Sequence, residues 1–375
     1  MDEREAHIAC NLLPGIGPVR MRTLVAHLGS PQVILGARAD TLARVAGIGP
    51  QLAEQIATWQ EHIDLGAELR NIRERDIDVI IPSDALYPRL LHQIHDAPLV
   101  LYAWGNLKPE DHRAIALVGS RRASHYGIRT ARMLGFQLSQ AGLTVISGLA
   151  RGIDTAAHEG ALAAGGRTIA VIGSGLGKLF PAENQGLAER IADGNGAVIS
   201  EFPIHFPPSR QSFPRRNRIV SGWSSGVVVV EAAGRSGALI TAEQAGEQGR
   251  SVYAVPGPID RPGSLGCNRL IQDGARLILS AADVLDDVGP ELRETLPAGP
   301  QECRQPTARP APADLPRLTP EEQSVLAALA PGEEILLDQV ASHTNLPTSV
   351  LLTTLMQLEI KRLVRQLPGQ RYLRA

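Results

Sequence analysis

The chain has 375 residues, 43% of them hydrophobic and 20% charged, which excludes wholesale disorder, a membrane bundle and a single peptide-scale core. Lysine plus arginine number 37 against 39 acidic residues, a net charge of −2 that by itself argues against a generally basic nucleic-acid coat protein. The cations are unusual in kind: Lys108, Lys178 and Lys361 are lysine and the other 34 of the 37 are arginine, whose forked donor suits phosphate. Cys10, Cys267 and Cys303 are dispersed and odd in number, so neither a disulfide framework nor a cysteine-based zinc module is expected. The N-terminus MDEREAHIAC has no basic start leading into an apolar run, and no segment offers eighteen uninterrupted apolar residues. These features predict a cytoplasmic protein with no membrane partner.

Taken in chain order, residues 1–72 carry an internal repeat. Pro14-Gly15-Ile16-Gly17-Pro18 returns 32 residues later as Ala46-Gly47-Ile48-Gly49-Pro50, each time between helical stretches. Glycine permits the tight turn and proline opens the next helix, where its missing N–H costs nothing. This helix-hairpin-helix pattern exposes amides at a helix N-terminus and can hold a phosphate without reading sequence; a small protein-interaction module would use the same turn. From residue 73 to 290, short β-rich runs alternate with helices: Val79 to Ile81, Leu99 to Tyr102, Ile115 to Val118, Thr144 to Ser147, Thr168 to Ile172, Ala197 to Ser200, Val227 to Glu231 and Ser251 to Val255. Such alternation predicts an α/β fold with a Rossmann-like, mostly parallel sheet covered on both faces. Residues 291–317 are rich in proline and read as an extended linker. In 318–375 helices over Pro320 to Leu329, Leu337 to His343 and Thr348 to Val364, followed by a segment turning at Pro368-Gly369, describe a winged helix, a fold used equally for DNA grooves and for protein docking.

Two glycine-bearing loops follow parallel strands, where α/β folds bind ligands. In the first, Gly119, Ser120, Arg121, Arg122 and Ser124 lead into a helix whose N-terminus can receive an anion. The second is Gly173-Ser174-Gly175-Leu176-Gly177-Lys178. Neither has the GxGxxG spacing of dinucleotide folds, and GxxxxGK[ST] is absent, so no nicotinamide, flavin or P-loop nucleotide cofactor is expected. Charge is also segregated. Arg113, Arg121, Arg122, Arg129, Arg132 and Arg151 lie in a stretch without acids between Asp111 and Asp154. Arg210, Arg215, Arg216 and Arg218 do so between Glu201 and Glu231, and five more cations follow Glu359. These segments are the footprint of a polyanion site, although Arg129 and Arg132 read as a solvated helix face. Asp154 and His158, four apart on one helix face, lack a third metal ligand, and Asp154 reads as a helix-start carboxylate. Glu201 and Glu231 follow strands and read as anchors for the arginine loops. No catalytic residue and no metal site is assigned.

The runs GSRRASHYG, SGLARGIDTAAHEGAL, FPRRNRIVSG, RSGALITAEQA and YAVPG, with YPRLLHQIHDAPLVLYAWGNL upstream, resemble the DprA/Smf family of DNA-processing proteins in composition and order. The resemblance spans about residues 82 to 285. It implies a protein without enzymatic activity that binds incoming single-stranded DNA during natural transformation, protects it and loads RecA recombinase. A homodimer is implied, with single-strand-binding protein as a further partner. Carried onto this chain, it marks Arg121 as the principal phosphate ligand, with Gly119, Ser120 and Ser124 shaping its pocket. The loop Phe213-Pro214-Arg215-Arg216-Asn217-Arg218 supplies further contacts, and Gly173, Ser174, Gly175, Lys178, Ser236 and Gly237 complete the expected DNA-binding set. The family's GLDxxYPxxN run appears with Gly177 for Asp and Phe180 for Tyr, and Ala182 stands where some relatives place a cation. With 3% aromatic residues, extensive base stacking is not expected. Two other readings stay open: a nucleotide phosphoribohydrolase-type enzyme, whose PGGxGTxxE loop the Gly234 to Thr241 segment does not reproduce, and a duplex-DNA regulator using the terminal domains.

Overall fold

The computed structural model describes residues 1–288, 318–329, 334–344, 346–361, 363–367 and 371–374. The expected linker at 291–317, Cys303, Arg362 and the Pro368-Gly369 turn lie outside these residues. The chain divides into two compact units, Met1–Cys303 and Arg304–Ala375.

The first unit opens with seven short helices: α1 (Glu3–Leu12), α2 (Pro18–Leu28), α3 (Pro31–Leu35), α4 (Ala39–Leu42), α5 (Pro50–Ala57), α6 (Trp59–His62) and α7 (Leu65–Glu74). Both repeats form as read from the sequence: Gly17 and Gly49 are the N-caps of α2 and α5, each followed by proline at the first helical position. These helices do not close their own core. Ile8, Met21, Leu24, Ile34 and Ile56 pack in one cluster with Val79, Val100, Tyr102 and Ile204, so the helical unit is seated on one edge of the sheet.

The sheet has nine strands: β1 (Asp78–Ile80), β2 (Leu101–Gly105), β3 (Ala114–Gly119), β4 (Thr144–Ser147), β5 (Thr168–Val171), β6 (Gly196–Ser200), β7 (Gly226–Glu231), β8 (Ser251–Ala254) and β9 (Arg276–Leu277), in the order β1-β2-β6-β5-β4-β3-β7-β8-β9. From β6 to β9 every pairing is parallel; β1 and β2 pair antiparallel at one margin. Helices α8 (His125–Gln140), α9 (Ile153–Ala163), α10 (Gln185–Ala192), α11 (Ser212–Trp223), α12 (Gly237–Glu247), α13 (Leu265–Gln272) and α14 (Ala281–Val288) complete the unit. The run Val227 to Val230 is buried on both faces, as a central parallel strand requires. Strand order reverses direction between β3 and β7, and a crevice outside the carboxyl ends of the strands at such a switch is the usual ligand position in open α/β sheets.

The second unit packs α15 (Pro320–Ala328), α16 (Leu337–Thr344) and α17 (Thr348–Ile360) around Val325, Val340, Leu351, Leu355 and Leu358, beside a small sheet of β10 (Glu334–Leu336), β11 (Val364–Leu367) and β12 (Arg371–Arg374). Its third helix ends before Val364, which begins the wing strand.

Candidate nucleic-acid interface

The loop from β3 to α8 lies at the switch point and is tied down by Glu231, at the end of the neighbouring β7. Ser120 N–H donates to the Glu231 carbonyl at 2.7 Å. The Glu231 carboxylate, 8% exposed, accepts from Ser124 N–H at 3.0 Å and from the Ser124 hydroxyl. Ser124 is the N-cap of α8 and accepts from Gly127 N–H at 3.1 Å. Gly127 is required by the same carboxylate, because a Cβ there would lie 2.4 Å from Glu231 Oε2. The expected anion seat at the start of α8 is therefore filled by the protein's own carboxylate, which satisfies the helix dipole internally. Phosphate recognition here falls to side chains.

Those side chains gather at the carboxyl edge. Arg121 is exposed, and its guanidinium lies 4.9 Å from the centroid of the Phe213 ring. Phe213 meets Phe180 at 6.0 Å between centroids, and Phe180 is 44% exposed. Arg215 is exposed and lies 4.9 Å over Phe202, which stacks on Phe206. Four of the chain's five phenylalanines thus converge on one edge, a local concentration that the low aromatic total does not reveal. Arg121, Arg122, Lys178, Arg210 and Arg235 are exposed on loops leaving parallel strands β3, β5, β6 and β7, and none makes an ion pair among the described residues. Lys178 ends a 3₁₀ turn, two residues before Phe180.

The FPRRNR run differs from expectation. It belongs to the first half of α11, where each residue turns about 100° from the one before, so neighbouring arginines meet different surroundings. Arg215 faces out. Arg216 is 5% exposed and its Nη1 donates to the carbonyls of Gly148 and Val171, stapling the ends of β4 and β5. Gly148 has to be glycine, since a Cβ would lie 2.3 Å from Arg216 Nη1. Burial brings the Arg216 pKa down to about 10, opposed by the nearby Asp154 carboxylate. Arg218, also 5% exposed, pairs with Glu201 and, at 3.1 Å, with Asp96. Asn217 reaches the Gly237 carbonyl at 3.5 Å and links α11 to the start of α12, where Ser236 is the N-cap and Gly237 is exposed.

Gly173, Ser174 and Gly175, expected among the DNA contacts, are buried. Gly173 lies under the Phe213 ring, the Ser174 carbonyl accepts from Ser200 at 2.7 Å, and Gly175 abuts the backbone of Pro203 and Ile204. With Arg216 and Arg218 they build the floor of the edge, not its open surface. Gly119 and Ser120 are half-buried, and Ser124 is exposed.

The acid-free stretches find acids elsewhere in the fold. Arg132 pairs with Glu159 and Arg151 with Glu183. Asp154 accepts the amides of Gly148 and Ala150 at 3.1 and 3.3 Å, and burial raises its pKa. His158 is bound through Nδ1 to Thr168, and burial pushes its pKa down to about 3, leaving it neutral. Among the described residues no group of three acidic, histidine or cysteine side chains could hold a metal. No helix among them is long and apolar enough to cross a membrane.

Three family models match segments of the chain. Residues 78–289 match the family model described as DNA recombination-mediator protein A. Residues 12–57 match a SAM-like helix-hairpin-helix tandem, and 309–370 a DprA winged helix domain. Protein Smf of Synechocystis is 35% identical over 99% of both chains, and Protein Smf of Escherichia coli is 40% identical over 77% of this chain and 76% of its own. The X-ray structure of DprA from Streptococcus pneumoniae superposes with a TM-score of 0.67 at 36% identity, covering 76% of this chain and 97% of that one. DprA from Helicobacter pylori, a structure described for its single-stranded DNA binding mode, gives 0.51 at 28% identity over 56% and 94%. The chain belongs to the DprA/Smf family of DNA-processing proteins.

Proposed function

We propose that this protein is a single-stranded DNA-binding recombination mediator, which protects incoming DNA during natural transformation and loads RecA onto it. The observation that carries the reading is the carboxyl edge: five exposed cations, in no ion pair among the described residues, on loops leaving four parallel strands, with Arg121 over the Phe213 ring that meets Phe180. Cations take successive phosphates and an exposed aromatic ring offers a stacking surface that accepts any base. Strand recognition by the Helicobacter pylori relative and the recombination-mediator description of the family model support the assignment. Ile259 and Leu279, 88% and 77% exposed on loops near the edge strand β9, offer an apolar surface suited to a second copy, as a homodimer requires. The RecA contact, and any with single-strand-binding protein, belongs to the same proposal.

The alternatives lack matching chemistry. A phosphoribohydrolase needs a reactive carboxylate at the edge, whereas Glu201 and Glu231 are both buried and engaged by Arg218 and Ser124. A duplex regulator needs a cationic recognition helix, whereas α17, TSVLLTTLMQLEI, has no lysine or arginine and exposes Leu352 and Met356. The test is a titration of labelled oligo(dT) at several salt concentrations. Binding tolerant of base sequence, with affinity falling steeply as salt rises, is expected; salt-independent binding, or a preference for duplex, would count against the proposal.

A further inference from the structure

The first hairpin of the helical repeat opens onto the same side of the molecule as α11. Between them runs a groove of about 440 Å³ lined by Gly17, Val19, Arg20, Asp96, Arg215 and Arg218 among others. We propose that this groove carries the backbone of a single strand beyond the Arg121–Phe213 face, so that the first hairpin extends the strand-binding surface. The inference rests on the function proposed above.

Three observations converge. The first turn of α11 is a saddle: Phe213 faces Arg121 and Phe180, while the next two residues, Pro214 and Arg215, line the groove. A strand crossing that turn passes from one to the other without a break. Three arginines, Arg20, Arg215 and Arg218, meet two carboxylates there: Asp96, held by Arg218 at 3.1 Å, and the buried Glu201, paired with Arg218 and 3.8 Å from Arg215, while Arg20 donates to the Gly15 carbonyl at 2.6 Å, leaving the groove one positive charge in excess. Arg218 is 5% exposed and its Nη1 is a buried donor with no acceptor. Gly17 and Pro18, which line the same groove, begin α2 with no side chain capping its first turn.

The two repeats differ in the way this role demands. Val19 and Arg20 of the first hairpin correspond, 32 residues on, to Gln51 and Leu52 of the second, so the second hairpin offers no cation at the equivalent position. The helical unit is also fixed beside the groove. Asn11 donates to the Glu201 carbonyl at 2.9 Å and Glu68 accepts from Ile204 N–H at 2.9 Å, locking it to the segment that leads into α11.

The test uses the full chain and oligo(dT) of roughly six and roughly twenty nucleotides, one near the short end and one beyond the long end of usual single-strand site sizes of about 4–16. Arg20→Ala and Arg20→Glu are expected to weaken the long strand several-fold and to lower its salt slope by about 0.7, the value of one phosphate contact on a single strand, with the short strand unaffected. Arg20→Lys should recover most of the loss, and Val19→Cys carrying a photoactivated crosslinker should label the long strand only. The inference is overturned if both Arg20 variants bind the long strand like wild type, if they lose both lengths equally with a lowered melting temperature, or if duplex or an acidic peptide takes the crosslink instead. Arg121→Ala separates the two claims: it should weaken both lengths, and if it weakens neither, the edge site fails even where the groove survives.

Discussion

Arg121 and Arg216 each lie within a run that resembles a family motif, yet the fold gives them opposite tasks, and exchanging each for a neutral residue should separate stability from affinity. Arg216→Met removes a buried cation whose Nη1 serves the Gly148 and Val171 carbonyls and whose charge offsets the buried Asp154. Two orphaned carbonyls cost about 1–3 kcal/mol each, and breaking a buried charge pair costs about 3–5 kcal/mol; because these overlap, the expected loss is about 3–5 kcal/mol. That is a large part of the roughly 5–15 kcal/mol available to a native domain. Arg121→Ala gives up an exposed cation–π contact, so its stability cost should stay below about 1 kcal/mol, while a lost charged phosphate contact of about 1.5–3 kcal/mol weakens binding roughly ten- to a hundredfold. Urea unfolding followed by tryptophan fluorescence reads the first unit alone, since Trp59, Trp104 and Trp223 all lie there. In Arg216→Met the Asp154 pKa, already raised by burial, loses its neighbouring cation. A carboxyl whose folded pKa exceeds its unfolded value destabilises the fold when ionised, so the variant should regain stability as pH falls through that raised value. Wild-type urea resistance in Arg216→Met, together with a selective loss of affinity, would refute the assignment of Arg216 to the floor.

Phe180→Ala should weaken oligo(dT) by the loss of one stacked base, about 1–3 kcal/mol, with the salt slope unchanged, as anisotropy titrations at two salt concentrations would show. Removing residues 304–375 should leave oligo(dT) affinity within about twofold of wild type, because α17 brings no cation; a large loss in a filter-binding assay would shift the site to the second unit. In that unit Lys361 at 2.7 Å and the Thr319 amide hold the Glu322 pKa below its ordinary value of 4.5. The stability they confer is full above that value and is lost as pH falls through the lowered pKa, so Glu322→Gln should flatten the acid sensitivity of the second unit in circular dichroism. Glu231→Gln should loosen the β3–α8 loop, read as faster hydrogen exchange at Ser124 and Gly127, because a charge-assisted N-cap becomes neutral.

Much of this architecture is legible in the sequence because it rests on local rules. The two Gly-Ile-Gly-Pro turns dictate their hairpins, and apolar runs such as Val227 to Val230 mark buried parallel strands, with boundaries within a residue or two of those observed. Strand order is a different matter: nothing in the composition of β3 and β7 tells that they are neighbours at the reversal, so the meeting of Ser124 with Glu231, 107 residues away, is not foreseen beyond the reading of Glu231 as an anchor. The FPRRNR run shows the same limit at the scale of a helix. Its arginines look equivalent in sequence, and only the packing on different sides of α11 leaves Arg215 exposed while burying Arg216 against the Gly148 and Val171 carbonyls and Arg218 against Glu201 and Asp96. The aromatic edge escapes notice for a further reason: Phe180 follows β5, Phe202 and Phe206 follow β6, and Phe213 lies in the first turn of α11, and only the fold brings Phe180 to Phe213.

The central claim, that a single strand lies along the carboxyl edge, is tested most directly by a crystal structure of the full chain with oligo(dT). A phosphate within hydrogen-bond distance of Arg121, a base against Phe180, and Arg216 still bound to the Gly148 and Val171 carbonyls are expected. A strand held only by the second unit, with no nucleotide at Arg121, would contradict it.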